Sequence, residues 1–131
     1  MIKTRRLRQL RRLEKQCNLP NLKVELLPWQ QEVYENPTRF KVIAAGRRTG
    51  KSRLAAWSLI LNCLSSKKGQ VFYVAPTQGQ ARDIMWQMLL ELAHDVIASS
   101  HVNNLQIKFI NGALLTLKGA DRPETMRGVS L

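Results

Sequence analysis

Ala45-Gly46-Arg47-Arg48-Thr49-Gly50-Lys51-Ser52 is the stretch on which the reading of this chain turns. A glycine followed directly by Lys-Ser, with four residues between it and a first glycine or alanine, is the spacing of a phosphate-binding loop. The physics behind the pattern is simple. Successive backbone N–H groups wrap an anionic phosphate, and the positive end of the helix that follows adds to the attraction. Gly50 removes a side chain from the path of the anion, Lys51 bridges the outer phosphates, and the Ser52 hydroxyl is placed to ligate Mg²⁺. The first position of the usual pattern is glycine, and here it is Ala45.

The flanks supply the context that such a loop requires. Phe40-Lys41-Val42-Ile43-Ala44-Ala45 is apolar and partly β-branched, and reads as a strand leading into the loop. Leu54 to Leu64 is almost wholly apolar, as expected of a helix buried against a sheet. Lys67-Lys68-Gly69 turns the chain into a second apolar run, Gln70 to Ala75, which Pro76 stops. Thr77 is a plausible cap for a long helix reaching about Ile97, with Ile84, Met88, Leu92 and Val96 along one face. A loop through Ser99 and Ser100 follows. Leu105, Ile107 and Phe109 then alternate with polar residues up to Asn111-Gly112, and Ala113, Leu115 and Leu117 alternate after it. That arrangement is a hairpin signal, with positive φ expected at both turn positions. Strand, helix, strand, helix and hairpin in this order predict an α/β domain with a partly parallel sheet flanked by helices.

Upstream of the loop, Pro28 opens a short helix, Trp29 to Glu35, that must stop before Pro37. Trp29-Gln30-Gln31 lies about ten residues before the strand. A glutamine amide offers a donor and an acceptor that match the adenine edge, and tryptophan stacks on a base; equally, Trp29 is core and the glutamines face water. Residues 4–16 read as a basic helix with a narrow stripe of Leu7, Leu10 and Leu13. The chain divides accordingly into a basic N-terminal helix and tether, 1–26, and a P-loop unit, 27–131.

Composition bounds the partners. The 131 residues suit one domain. With 21 basic against 9 acidic residues the net charge is +12, which favours a polyanionic partner. Seven of the basic residues fall within the first fifteen. No apolar run is long enough to cross a bilayer, and the charged N-terminus has no secretory core behind it. Cys17 and Cys63 make no metal pattern with His94 or His101 and read as packing residues.

Taken together, Pro28-Trp29-Gln30, the Ala45–Ser52 loop with its paired arginines, Val74-Ala75-Pro76-Thr77 with Gln80-Ala81, and Lys118-Gly119-Ala120 leading to Met126-Arg127-Gly128 resemble the large subunit of tailed-phage terminases. The alanine-first loop is itself typical of that family. The resemblance runs in order from about residue 27 to residue 131. It implies an ATPase that uses ATP and Mg²⁺ to drive double-stranded DNA through a portal into a capsid. The implied setting is a homo-oligomeric ring, with portal protein and small terminase subunit as partners, in the cytoplasm of a bacterial host. It also implies that Gln30 contacts adenine and that an arginine of the loop, Arg47 or Arg48, together with Arg127, stabilises the γ-phosphate. Arg47 and Arg48 read otherwise as solvated loop arginines, and Arg127 as a structural partner of Asp121 or Glu124.

In the family an apolar strand ending in Asp-Glu follows the Arg-Gly step, and a nuclease domain comes later. The chain stops at Leu131, before either. Asp83, Glu91 and Asp95 read as the solvated face of one helix and do not replace the acidic pair. The expectation is a fragment or truncated product that binds nucleotide and turns it over weakly or not at all. Two other readings stay open: a helicase-like P-loop ATPase, and a non-enzymatic nucleic-acid or partner-binding module in which the basic helix does the work.

Overall fold

A computed structural model describes residues 24–66 and 68–127. The basic helix expected at 4–16 lies outside the described residues.

Helix α1, Pro28–Glu35, starts on the proline, whose fixed φ suits the first helical position. Lys41 sends its ammonium to the carbonyls of Val33 (2.7 Å) and Tyr34 (3.2 Å), where a helix C-terminus leaves acceptors free. Helix α2, Lys51–Ser65, begins at the loop. Its buried residues, among them Leu54, Trp57, Ile60, Leu61 and Leu64, form the thick apolar face that the sequence promised. Strand β1, Gln70–Ala75, follows.

After β1 the chain makes one irregular helix in three pieces: α3 (Gln78–Ala81), a π turn (Arg82–Trp86) and α4 (Gln87–Leu92). Thr77 does cap it, its hydroxyl accepting the Gln80 N–H at 3.2 Å. It stops at Leu92 rather than near Ile97, because Ala93 and a 3-10 turn, His94–Val96, break the ladder. The buried stripe is Ala81, Met85, Leu89 and Ala93, one residue along from the expected one, and Ile84 is 45% exposed. The π turn admits an extra residue and rotates the face, which a fixed period of 3.6 does not foresee.

Strands β2 (Ile97–His101), β3 (Gln106–Phe109) and β4 (Leu114–Gly119) complete a four-stranded sheet of order β1-β4-β3-β2. Ser99 and Ser100, expected in a loop, lie in β2, paired with Lys108 and Ile107. Their polarity belongs to an exposed edge strand. The hairpin β3–β4 is antiparallel, whereas β1 and β4 run parallel from Gln70↔Leu114 to Ala75↔Gly119. At the hairpin only Gly112 has positive φ (87°), not Asn111. The turn is the longer kind closed by Phe109 N–H to Ala113 O, with glycine at the bulge. Leu105, Ile107, Phe109, Ala113, Leu115 and Leu117 all point inward as the alternation required, and meet α2 and the 78–92 helix in one core. Cys63 is part of that core, and burial pushes its thiol up to about 12, which leaves it unreactive near neutral pH.

The strand expected at Phe40–Ala45 is not formed. Residues 41–46 belong to no sheet. Phe40 is 79% and Val42 98% exposed. The residue types are those of a buried strand, yet no neighbour among the described residues offers a ladder, and propensity alone does not make one. One edge of β1 is likewise open within this sheet. Open edges beside exposed apolar residues favour pairing between chains. Light scattering should therefore show the mass of the isolated chain rising with concentration, and Val42→Lys should suppress the rise. A monodisperse monomer across the range would contradict this.

Candidate functional site: the loop at the head of helix α2

The loop takes a shape that suits an anion. Arg48 (φ 59°) and Gly50 (φ 92°) are both left-handed, with Thr49 between them at negative φ. Alternation of hand along a short segment turns successive N–H groups toward one side, which is the geometry of an anion nest. The turn is tightened by Thr49 Oγ1, which donates to Gly46 O at 2.9 Å. Arg47, Arg48, Lys51 and Ser52 are exposed, whereas Ala45, Thr49 and Gly50 are half-buried. Lys51 folds back: its ammonium donates to Gly46 O at 2.9 Å and also to Ala45 O.

Helix α2 sets where the loop sits relative to the sheet. Asn111, in the turn that leads into β4, donates to Cys63 O (2.8 Å) and Leu64 O (3.3 Å), pinning the C-terminal end of α2 there. The other end, with the loop, therefore lies toward the carboxyl ends of β1 and β4. Tyr73 of β1 and Lys51 accordingly share one cleft of about 290 Å³, with Leu54, Lys41 and Ile43 in its wall. Ligands of α/β sheets bind at this end. A second cleft, of about 460 Å³, runs from Trp29, Asn36 and Phe40 to Ala45. Among the described residues neither cleft is lined by a carboxylate.

Gln30 is buried, 1% exposed, and both ends of its amide bind backbone. Its Oε1 accepts the Leu27 N–H at 2.8 Å, and its Nε2 donates to Gly50 O at 2.9 Å. Trp29 is half-buried on the next position of α1. Arg127 follows a 3-10 turn, Pro123–Met126, beyond the carboxyl end of β4, and is exposed. It makes no ion pair with Asp121 or Glu124 among the described residues, where His94–Asp95 is the ion pair found. Lys118 braces that turn, donating to Thr125 O with its ammonium 4.7 Å from the centre of the Phe72 ring. The structure thus brings the loop and Gln30 together, sets Trp29 at the mouth of the neighbouring cleft, and leaves Arg127 on a separate turn. Among the described residues no group of three or more His, Cys, Asp or Glu side chains is placed to hold a metal ion.

Lys41 lies in the wall of the cleft, and Asn111 orients α2 from its far end; neither was singled out from the sequence as a site residue. Asn111 carried a signal, read only as a turn. For Gln30 the signal was its place three residues after Leu27, the spacing at which a glutamine reaches back to the first free N–H of a helix.

Two solved structures share this fold. One is the ATPase domain of the large terminase of Thermus phage P74-26, with TM-score 0.70 and 22% identity over 84% of this chain. The other is a variant of that domain with a single arginine-to-alanine substitution, with TM-score 0.70 and 21% identity over 84% of this chain. At such identities the likeness is one of fold, and this chain spans about half of each, 52%. No protein of curated function matches the sequence significantly. A family model described as "Terminase large subunit, T4likevirus-type, N-terminal" matches residues 42–130, and the α/β chain with its P-loop belongs to that family.

Proposed function

We propose that this chain is the nucleotide-binding part of an ATP-driven motor that packages double-stranded DNA. The observation that carries the reading is the left-handed pair Arg48 and Gly50 immediately ahead of α2, with Lys51 and Ser52 on its first turn. In this reading the N–H groups of residues 46–52 hold the β-phosphate, and Lys51 leaves the Ala45 and Gly46 carbonyls to bridge the outer phosphates. The exposed Ser52 hydroxyl is the ligand this chain offers to Mg²⁺, which would offset the phosphate charge. The exposed Arg47 and Arg48 of the loop add positive potential where charge develops. The base lies in the cleft beside Trp29. DNA, the portal protein, the small subunit and neighbouring copies in a ring are the partners, in the cytoplasm of the host bacterium.

Hydrolysis needs a carboxylate to polarise the attacking water, and among the described residues the clefts beside the loop supply none. The chain alone therefore binds MgATP without motor-like turnover. Calorimetric titration should detect MgATP, and Lys51→Ala should abolish the heat. Sustained phosphate release by the purified chain, or undiminished binding by the lysine variant, would refute this reading.

A further inference from the structure

The expectation for Gln30 was recognition of the adenine edge, but in the structure its amide is already committed. Leu27 supplies a donor and Gly50 an acceptor, so only one orientation of the amide satisfies both. At 1% exposure a glutamine without those bonds would be costly to bury. Gly50 O is a shared acceptor: it also takes the Leu54 N–H at 3.0 Å, the first hydrogen bond of α2. The contact is close from the other side too, since a Cβ on Gly50 would come within 2.5 Å of Gln30 Nε2. Absence of a side chain at Gly50 thus serves two ends, its left-handed φ and the seat of the glutamine.

We propose that Gln30 is a positioning residue for the triphosphate, holding Gly50 in its left-handed conformation and so aiming the N–H groups of the loop, independently of the base. This role rests on the reading of the loop as a nucleotide site. It ties the first turn of α1 to the first turn of α2 through one buried amide. Without it, the Gly50 peptide would rotate among the many conformations open to glycine, and the nest would exist only part of the time. An anion would then bind only the fraction of molecules in the right shape.

The test uses the whole chain with Gln30→Met, which keeps the length of the side chain and removes the donor and acceptor. The probes are MgATP, MgGTP and inorganic tripolyphosphate with Mg²⁺. A brace predicts that all three weaken by the same factor, roughly 3- to 10-fold for the lost bond to Gly50, with the ATP-to-GTP ratio unchanged. A base reader predicts that tripolyphosphate is unaffected while ATP alone suffers, and that result would overturn the proposal. Hydrogen exchange in the nucleotide-free chain gives a second readout. The amides of residues 50–54 should exchange faster in the variant while those of Ile107 and Leu115 in the core do not change. If the wild-type chain bound no phosphate compound, the nucleotide reading would fail, yet exchange would still decide the brace; unchanged exchange at 50–54 rejects it. Should Gln30→Met not fold, Gln30→Glu loses only the donor to Gly50 and serves the same exchange measurement.

Discussion

Replacing Arg127 by alanine in a large subunit assembled as a ring should leave MgATP affinity unchanged and cut turnover by about 10³-fold. That is the loss expected when an arginine supplied across an interface no longer meets the charge developing on the γ-phosphate. Two features of the structure favour this over a structural role. The side chain is exposed and has no carboxylate partner among the described residues, although Asp121 and Glu124 are close in sequence. The turn that carries it is held by other groups: Lys118 to Thr125 O, and the Arg127 N–H itself to Glu124 O at 3.3 Å. The guanidinium is thus presented without being needed where it is. A melting curve beside the rate decides the matter. A variant that loses stability together with activity would show that Arg127 is structural after all.

Gly119→Ala should have the second largest effect, and on stability. Here φ is not the constraint; space is. A Cβ at this position would stand 2.5 Å from the Gln78 nitrogen, 2.9 Å from the Thr77 carbonyl carbon and 2.2 Å from Asp121 Oδ1. The carboxylate can swing away, but the two backbone atoms are fixed. They are held by Ala120 N–H to Ala75 O (2.8 Å) and Asp121 N–H to Pro76 O (3.2 Å), which zip the exits of β1 and β4 together. Overpacking of this sort costs about 1–3 kcal/mol, or roughly 5–15 °C in Tm. Gly79→Ala is the control, since a Cβ there meets nothing within 4 Å and α3 gains a better helix former. Equal melting temperatures for the two variants would show that the strand exits yield more readily than this packing implies.

The elements that were legible in the sequence are those whose signal is local. Pro28 at a helix start, Thr77 as a cap, the β3–β4 alternation and the Gly-Lys-Ser step each depend on neighbours a few residues away. Where the outcome depended on distant partners, the reading failed. Val42 and Ile43 have the chemistry of a central strand, but a strand is a property of a pair, and the described residues contain no second member. Ser99 and Ser100 have the chemistry of a loop, yet β3 offers them a ladder. The rotation of the 78–92 helix came from a π turn that no residue type announces. At the site the loop residues stood out because phosphate binding uses backbone at fixed spacing. The use of Gln30 did not, because the residue it grips is 20 positions away.

The folded-back ammonium of Lys51 has a kinetic consequence. Two main-chain oxygens, those of Ala45 and Gly46, occupy the ammonium that the proposed nucleotide site assigns to the outer phosphates. In that site, arrival of nucleotide would be an exchange of ligands rather than occupation of a vacant seat. Part of the electrostatic gain from the lysine would be offset by bonds that must first be given up, so its contribution falls on selectivity as well as on affinity. A chloride or a single phosphate is a poor replacement for two carbonyls; a polyphosphate chain, which engages the loop amides at the same time, is a good one. In the nucleotide site proposed above, the loop would thereby discriminate against small anions before any base is read.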